Sequence, residues 1–279
     1  MRSEPGRLVV CATPIGNLGD VTLRVLEALR AADAIAAEDT RVTRKLLARY
    51  DIDTRLERCD EHTVERQTPV LLERILGGQV IALVSDAGTP GVSDPGARLV
   101  DACVDAGVVV EVLPGASAIL AALVASGLPT HAFYFGGFLP RKAGDRVRAL
   151  DAIATLDATL VFYESPHRAA ATLLALATAF PGRRGVLARE LTKLHEEVVR
   201  GPIAEVAEQI GARDGLKGEV VLLVGPPPAP VREETDADEV RSCVERSIGE
   251  GVSRSEAVKR VARELGLPKS EVYRIAHDA

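Results

Sequence analysis

Short apolar runs alternate along the chain with segments in which apolar residues recur at helical spacing. In the first half of the chain, the clearest apolar runs lie at residues 8–11, 34–37, 80–84 and 108–113. Runs of this length, bounded by turn residues, are typical of strands that are buried on both faces of a sheet. Between them the spacing is helical, as at Leu23, Leu26 and Leu29. The alternation predicts a largely parallel α/β sheet covered by helices.

We expect the chain to be organised around residues 80–96, VIALVSDAGTPGVSDPG. The apolar run changes there into small and polar residues, and glycines such as Gly88 lack the Cβ atom that would keep a ligand from the backbone. The runs at residues 8–11 and 108–113 end in similar loops, TPIGNLGD and PGAS. Ligands of open α/β sheets bind at the carboxyl ends of strands, so the three exits predict a ligand site. A purely structural turn is the alternative, since the GxGxxG and GxxxxGK[ST] motifs are absent.

Charged residues follow two further predicted strands. Residues 38–41, EDTR, come directly after the run at 34–37, and residues 60–62, DEH, follow a shorter run at 56–59. Basic residues continue onto the next predicted helix, beginning with Arg44. Two interpretations stay open: a solvated helix face, or a phosphate-binding rim beside the carboxylates of the ligand edge.

A change of composition at residues 127–140 predicts a linker between two α/β domains. The segment contains two prolines, three glycines and most of the phenylalanines. A second alternating series follows it, with strands expected at residues 159–163, 186–189 and 219–224. We therefore expect domains at residues 1–126 and 141–225, a proline-rich hinge at 226–235 and a small helical module at 236–279.

The tail has the outline of a helix-turn-helix module. Ser253 and Glu256 have the spacing of a capping box, and Gly266 and Pro268 interrupt the helical pattern. The basic residues that would face a phosphate backbone are Arg260, Arg263, Lys269 and Arg274. Acidic neighbours dilute this patch, so the pattern fits a packing or dimerisation module as well as a nucleic-acid reader.

Composition narrows the classes of function. Of the 279 residues 47% are hydrophobic and the formal charge is −6, so a nucleic acid would have to be held by local basic patches. The four cysteines show no CxxC pairing, which indicates a reducing, cytoplasmic environment. No His or Cys pair has metal-ligand spacing, and no uncharged span approaches the roughly 18 residues needed to cross a bilayer. We expect a cytoplasmic protein that binds neither a metal nor a membrane.

Seven motifs occur in order along the chain: TPIGNLGD, AAEDTR, LVSDAGTP with SDPG, PGASA, GFLPRK, FYESPHR and ARELTK. Their combination resembles the ribosomal small subunit methyltransferase I family. The resemblance spans residues 8–224, and the helical tail also resembles the C-terminal module of that family. It implies a two-domain tetrapyrrole-methylase fold, S-adenosylmethionine as cofactor, and methylation of a cytidine 2′-hydroxyl in 16S rRNA of the small ribosomal subunit. It also implies a homodimer.

The cofactor contacts that the resemblance implies fall at strand exits of both domains. They are Pro14, Ala87, Gly88, Thr89, Val92, Ser117 and Ala118 in the first domain, and Tyr163, Glu164, Leu191 and Val220 in the second. Small residues at these positions would let backbone groups reach the cofactor, and apolar walls would exclude water from its sulfonium.

Methylation of a ribose hydroxyl requires that its proton be removed as the oxygen attacks the methyl carbon. The candidate proton acceptors, which the sequence does not rank, are Asp39, Glu61, His62 and Glu190, with His195 as a further one. Alignment of the hydroxyl with the sulfonium, without a dedicated base, is the alternative. The candidate phosphate contacts are Arg41, Arg44, Arg141, Lys142, Arg168, Arg189 and Lys193.

Two other functions fit parts of the sequence. A methylase acting on a tetrapyrrole carbon would share the fold and the cofactor loops, but would need neither the basic clusters nor the helical tail. A ligand-sensing, DNA-binding regulator would couple the α/β part to the tail, although the mixed charge of the tail disfavours tight binding to DNA. Methylation of RNA accounts for more of these features than either alternative.

Overall fold

The computed structural model describes residues 5–228 and 237–277 of the chain. These residues belong to two compact units, with the boundary in the sequence after Pro227. Within the described residues, the first unit contains two five-stranded sheets with their helices, and the second contains three helices.

All five strands of the first sheet are parallel. They are β1 (Arg7–Cys11), β2 (Ala34–Ala37), β3 (Leu56–Arg58), β4 (Val80–Val84) and β5 (Val109–Leu113), in the order β3-β2-β4-β1-β5. Alternate residues of β1 pack on opposite faces, Val9 and Cys11 on one side and Leu8 and Val10 on the other. The predicted parallel sheet is confirmed.

Helices cover both faces of this sheet. One face packs against α1 (Leu23–Ala31) and α2 (Thr40–Arg49), and the other against α3 (Val64–Leu76) and α4 (Ala97–Asp105). Side chains at the strand exits help to start some of the helices: the Val25 N–H donates to Thr22 Oγ1 at 3.2 Å, and the Arg41 N–H donates to Asp39 Oδ1 at 2.8 Å. The strand exits are therefore also helix caps.

The second sheet is mixed. Its strands are β6 (Phe133–Phe138), β7 (Thr159–Glu164), β8 (Arg184–Arg189), β9 (Glu197–Pro202) and β10 (Val220–Val224), in the order β6-β7-β10-β8-β9. Only the β6–β7 pair is parallel, and the other three pairs are antiparallel. The sequence predicts the alternation of strands and helices in this half of the chain, and the structure adds that most of its strand pairs are antiparallel.

Helices also cover both faces of the second sheet. Helix α5 (Ala118–Ser126) follows the first sheet in the chain but packs on the second, where Ile119 and Leu123 contact a layer that includes Val161 and Val186. Helices α7 (Ala169–Ala179) and α8 (Ile203–Gly211) pack on the opposite face. Helix α6 (Ala143–Asp151) precedes β7.

The segment at residues 127–140 is not only a linker, because it contains β6, an edge strand of the second sheet. Gly136 lies within this strand, where a Cβ atom would come within 2.5 Å of the Phe162 ring. The missing side chain of Gly136 thus allows β6 to pack closely on Phe162 and does not indicate a flexible linker. Arg141 and Lys142, two of the candidate phosphate contacts, come directly before α6.

The C-terminal unit is a small helical module with its own core. Its helices are α9 (Ala237–Gly249), α10 (Arg254–Glu264) and α11 (Lys269–His277). Val240, Val258 and Val272, one from each helix, are fully or almost fully buried together. The Glu256 N–H donates to Ser253 Oγ at 3.4 Å, as the capping box predicts. Most of the expected hinge, residues 229–235, lies outside the described residues.

None of the helices in the described residues is long and apolar enough to span a bilayer. Those residues also contain no cluster of three or more His, Cys, Asp or Glu side chains arranged to hold a metal ion.

Candidate functional site

A cavity of about 670 Å³ lies between the strand exits of the first sheet and one face of the second sheet. Its volume falls within the range of small-molecule and cofactor sites. Loops after β1, β2, β4 and β5 line it from one side, and residues of β7, β8 and β10 line it from the other. The beginning of α5 supplies a further wall. The three glycine-containing exits that predict a ligand site therefore surround one cavity.

The turn after β4 is held against the turn after β1. The Thr13 N–H donates to the Gly88 carbonyl at 2.8 Å, and the Gly88 N–H donates to the Thr13 carbonyl at 3.0 Å. Gly88 has φ +80°, a backbone conformation that residues with a Cβ atom seldom adopt. At Gly115, a Cβ atom would come within 2.8 Å of the Ala12 Cβ. These two glycines are required for the packing of the turns that form the cavity.

Asp94 fixes the remainder of the central loop. The Gly91 and Gly96 N–H groups donate to its two carboxylate oxygens at 2.6 and 2.7 Å. Burial raises the pKa of Asp94, while these hydrogen bonds favour the ionised form. Asp94 therefore holds the loop before α4, whose N-cap is Gly96.

Two further carboxylates, Glu38 after β2 and Asp86 after β4, line the cavity at neighbouring strand exits. The Asp86 N–H donates to Glu38 Oε2 at 3.3 Å, and the Asp39 N–H donates to Asp86 Oδ1 at 2.8 Å. Burial is the main cause that raises the pKa of both Glu38 and Asp86. In the described chain, no donor is hydrogen-bonded to Glu38 Oε1, so this oxygen is available to a bound molecule.

The rest of the cavity wall is largely apolar. Ile15 comes from the first turn, Ile119 and Leu120 from α5, and Leu191 and Val220 from the second sheet and its loops. Leu191 lies between Glu190 and Thr192, which both have positive φ, at +51° and +67°. The cavity thus combines an acidic side with apolar surfaces.

The residues that the family resemblance implies as cofactor contacts are almost all in this lining. Ala87, Gly88, Thr89, Val92, Ser117, Ala118, Tyr163, Glu164, Leu191 and Val220 line the cavity. Pro14 does not, although its neighbour Ile15 does. The structure therefore brings together residues that are far apart in the sequence, and their role as cofactor contacts stays a prediction.

The candidate proton acceptors lie elsewhere. Asp39 caps α2, and its carboxylate oxygens accept hydrogen bonds from Arg41, which hold the pKa of Asp39 well below its usual range. Glu61 and His62 are exposed, and neither lines the cavity. His195 is exposed as well.

Glu190, the fourth candidate, also lies outside the lining. It accepts hydrogen bonds from Lys193 Nζ at 2.8 Å and from the Glu219 N–H at 2.9 Å. These bonds lower the pKa of Glu190, which makes it a weaker proton acceptor. Glu38, which does face the cavity, was not among the candidates, because in the sequence it is adjacent to an equally acidic residue, Asp39.

The candidate phosphate contacts divide into two groups. Arg168, Arg189 and Lys193 form ion pairs within the fold, with Glu164, Glu197 and Glu190 respectively. Arg41 pairs with Asp39. Arg44, Arg141 and Lys142 are exposed and form no ion pair in the described chain. The first four side chains are thus engaged in ion pairs within the chain, and the last three are available to solvent or a partner.

A parallel sheet whose strand exits open onto a cavity closed by a second, mixed sheet is the architecture of the tetrapyrrole methylase class. Residues 7–207 match the family model described as Tetrapyrrole (Corrin/Porphyrin) Methylases. The solved structure of the methyltransferase CobJ is 25% identical with a TM-score of 0.61, covering 79% of this chain and 94% of CobJ. A uroporphyrin-III C-methyltransferase from Thermus thermophilus, solved with S-adenyl homocysteine, shares the fold at 21% identity and a TM-score of 0.55, covering 79% of this chain and 97% of that one.

Closer relatives match the chain almost from end to end. It is 47% identical over 272 residues to Ribosomal RNA small subunit methyltransferase I of Mesorhizobium japonicum, covering 97% of this chain and 91% of that protein. The relative of the same name from Bacillus subtilis is 42% identical over 283 residues, covering 99% of this chain and 96% of that protein. The chain therefore belongs to the ribosomal RNA small subunit methyltransferase I family.

Proposed function

We propose that this protein transfers a methyl group from S-adenosylmethionine to the ribose 2′-hydroxyl of a cytidine in 16S rRNA of the small ribosomal subunit. The observation that carries the proposal is the cavity, which is large enough for a cofactor and is lined by residues of both sheets. The names of the curated relatives state a small-subunit rRNA methyltransferase. The cytidine and the 2′ position rest on the family resemblance of the sequence motifs.

The cavity fits S-adenosylmethionine in chemistry as well as in size. The cofactor carries two positive charges, on its sulfonium and its amino group, one negative charge on its carboxylate, and an adenine ring with two apolar faces. Glu38 and Asp86 supply negative charge on one side, and Ile15, Leu120 and Val220 supply apolar surface. Opposite charges within such a poorly hydrated space attract strongly. When bound, the cofactor supplies a methyl group made electrophilic by the positive sulfur.

Glu38 is the residue that we assign to accept the proton of the ribose hydroxyl. Its Oε1 atom is free of donors in the described chain, and burial raises its pKa towards the working range of a general base. Asp86 positions Glu38 through the backbone hydrogen bond between them. Asp94 keeps the loop that carries Asp86 in place.

Filling the cavity should prevent cofactor binding. Ala118 lies at the first position of α5 and lines the cavity, so an Ala118→Phe side chain would occupy volume that the cofactor needs. We expect binding of S-adenosylmethionine to weaken by at least about tenfold, which is about 1.4 kcal/mol. Isothermal titration calorimetry measures this, with Ala106→Phe, at an exposed helix end outside the lining, as the matched control. Equal affinities in the two folded variants would refute the assignment of the cavity.

A homodimer forms part of the same proposal. Strand β5 is an edge of the first sheet, where Val109 and Val112 are exposed, and α5 exposes Leu120 and Val124. Val112 and Leu120 also border the cavity. Exposed apolar surface of this kind is typical of protein interfaces. Light scattering should give twice the chain mass of 29.6 kDa, and a monomer at micromolar concentration would contradict the dimer.

The exposed basic residues Arg44, Arg141 and Lys142 are the phosphate contacts that we retain from the sequence. Lys142 lies four residues after Phe138, which lines the cavity, and Arg44 lies on the helix that follows Glu38. A small-subunit substrate places the enzyme in the cytoplasm.

The deciding experiment incubates the protein with methyl-labelled S-adenosylmethionine and either free 16S rRNA or small subunits from cells that lack the corresponding methyltransferase. We expect label at a single cytidine ribose, located by nuclease mapping and nucleoside analysis. Label on a base, or none on either substrate, would refute the proposal. Transfer to a tetrapyrrole instead would support the alternative methylase.

A further inference from the structure

One face of α11, the second helix of the helix-turn-helix outline, carries five exposed residues. They are Lys269, Ser270, Tyr273, Arg274 and His277, which we call the α11 outer face. Their spacing of one, four, five and eight residues places them on one side of a helix. Val272, Ile275 and Ala276 are buried in the core of the unit on the other side. The outer face is therefore not needed for the packing of the three described helices.

The charges of α10 and α11 are arranged differently. On α10, Lys259 pairs with Glu256, and Arg260 pairs with both Glu250 and Glu264. On the α11 outer face, Lys269 and Arg274 form no ion pair in the described chain, and the face contains no acidic residue. The positive charge of Lys269 and Arg274 on α11 is available to a partner, whereas the positive charge of Lys259 and Arg260 on α10 is neutralised by ion pairs.

The outer face also carries an exposed pair of rings. The Tyr273 and His277 ring centroids are 4.2 Å apart with an interplanar angle of 36°, and Tyr273 is 55% exposed. The chain has only nine Phe and Tyr residues and no Trp, so an exposed tyrosine beside two free cations is a distinctive feature. Aromatic rings next to basic side chains are the usual means by which proteins hold unpaired nucleotides.

We propose that the α11 outer face binds RNA, with Lys269 and Arg274 on phosphates and the Tyr273–His277 ring pair stacked on an unpaired base. The inference rests on the proposed function and extends it by giving the C-terminal unit a part in holding the substrate. A local positive face on a chain of formal charge −6 is complementary to a polyanion. Unpaired RNA suits the face better than duplex DNA, because bases in a duplex stay stacked on each other and cannot reach the rings.

The test uses the full-length protein and in vitro transcribed 16S rRNA, with dissociation constants measured over a series of salt concentrations. Lys269→Ala combined with Arg274→Ala removes two phosphate contacts, so the slope of log affinity against log salt should flatten by about 1.4, or about 0.7 per contact. Lys259→Ala combined with Arg260→Ala removes the same charge from α10 and is the matched control, with a slope close to wild type.

The ring pair is tested separately. Tyr273→Ala should weaken binding to 16S rRNA at least about fivefold, because stacking of one base contributes about 1–3 kcal/mol, and the salt slope should not change. Tyr273→Phe keeps the ring and should bind nearly as the wild type does. Circular dichroism shows whether each variant is folded, and Tyr273→Phe separates loss of stacking from loss of structure.

Two outcomes overturn the inference without touching the proposed function. The first is that the wild-type protein methylates 16S rRNA or the small subunit, while the Lys269→Ala, Arg274→Ala double variant and the Tyr273→Ala variant both bind RNA as the wild type does. The second is that wild type binds duplex DNA of equal length more tightly than the rRNA. A wild-type protein that transfers no methyl group to either substrate refutes the proposed function instead, and one that binds no RNA refutes both.

Discussion

Replacement of Glu38 with glutamine is expected to lower the rate of methyl transfer about 10²- to 10⁴-fold, the range typical of losing a general base. Glutamine has nearly the same shape but cannot accept the proton of the ribose hydroxyl. The loss should appear in single-turnover experiments at saturating RNA and cofactor, which report the chemical step. A folded Glu38→Gln protein that reacts at the wild-type rate would remove Glu38 from the chemistry.

The pH profile provides a second readout of the same substitution. Burial raises the pKa of Glu38 above its ordinary value of 4.5, and only the ionised carboxylate accepts a proton. The wild-type rate should therefore fall as the pH is lowered through the raised pKa of Glu38, at a pH above 4.5, and this dependence should disappear in Glu38→Gln. Asp39→Asn is the control, because asparagine still caps α2 and the Asp39 carboxylate is already bound by Arg41. Its rate should stay within about threefold of wild type and keep the pH dependence.

Stability distinguishes this loss of activity from misfolding. A carboxyl group whose pKa is raised in the folded state contributes stability below its unfolded pKa, and this contribution is lost as the pH rises through the folded value. At pH 7 the ionised Glu38 therefore gives no net support to the fold. The Glu38→Gln protein should melt at the wild-type temperature or above it at pH 7.

The first sheet and its ligand edge could be predicted from local sequence. Apolar runs that end in glycine and proline, such as β4 followed by Gly88, identify both the strand and its exit without knowledge of its partners. The second sheet could not be predicted in the same way. The directions of β8, β9 and β10 depend on pairing between distant segments. The segment that contains β6 has the glycine-rich composition of a loop, although Gly136 packs on Phe162.

Many residues that line the cavity could be predicted from the sequence, but Glu38, which we propose as the proton acceptor, could not. Small residues end three predicted strands of one parallel sheet, so Gly88, Ser117 and Ala118 could be placed at its ligand edge. Glu38 and Asp39 are adjacent carboxylates, and their roles differ because Asp39 is the N-cap of α2 and binds Arg41. The position of Asp39 directly before the helical pattern of α2 marks it as the N-cap. Glu38 is then the carboxylate that is left to face the cavity.

Some of the basic residues that the sequence suggests as phosphate contacts form ion pairs within the fold. Arg168 and Glu164 are four residues apart within the FYESPHR motif, and Lys193 and Glu190 are three apart. This spacing is a signal for pairing within a turn or helix. The Glu164 side chain is fully buried and needs a partner for its charge, so Arg168 pairs with it.

Replacement of Arg168 with alanine is expected to destabilise the first unit by about 2–3 kcal/mol, which is less than the loss of a fully buried partner because Arg168 is 26% exposed. Glu164 Oε2 lies 3.3 Å from Arg168 Nη2 and accepts from Thr172 Oγ1 at 2.6 Å, while Oε1 accepts from the Ser165 N–H at 2.7 Å. Arg168 also donates to the Leu139 carbonyl at 2.9 Å. Without Arg168 the buried carboxylate loses its cation, and the chain at Leu139 loses a donor.

Urea unfolding followed by circular dichroism measures this loss as a lower midpoint of the transition. Arg141→Ala is the matched control, since the Arg141 side chain is exposed and forms no ion pair in the described chain, and the free energy of unfolding of this variant should stay within about 0.5 kcal/mol of wild type. Binding of 16S rRNA at low temperature, where Arg168→Ala is still folded, should be nearly unchanged. An Arg168→Ala protein with wild-type stability and weak RNA binding would instead support the phosphate contact predicted from the sequence.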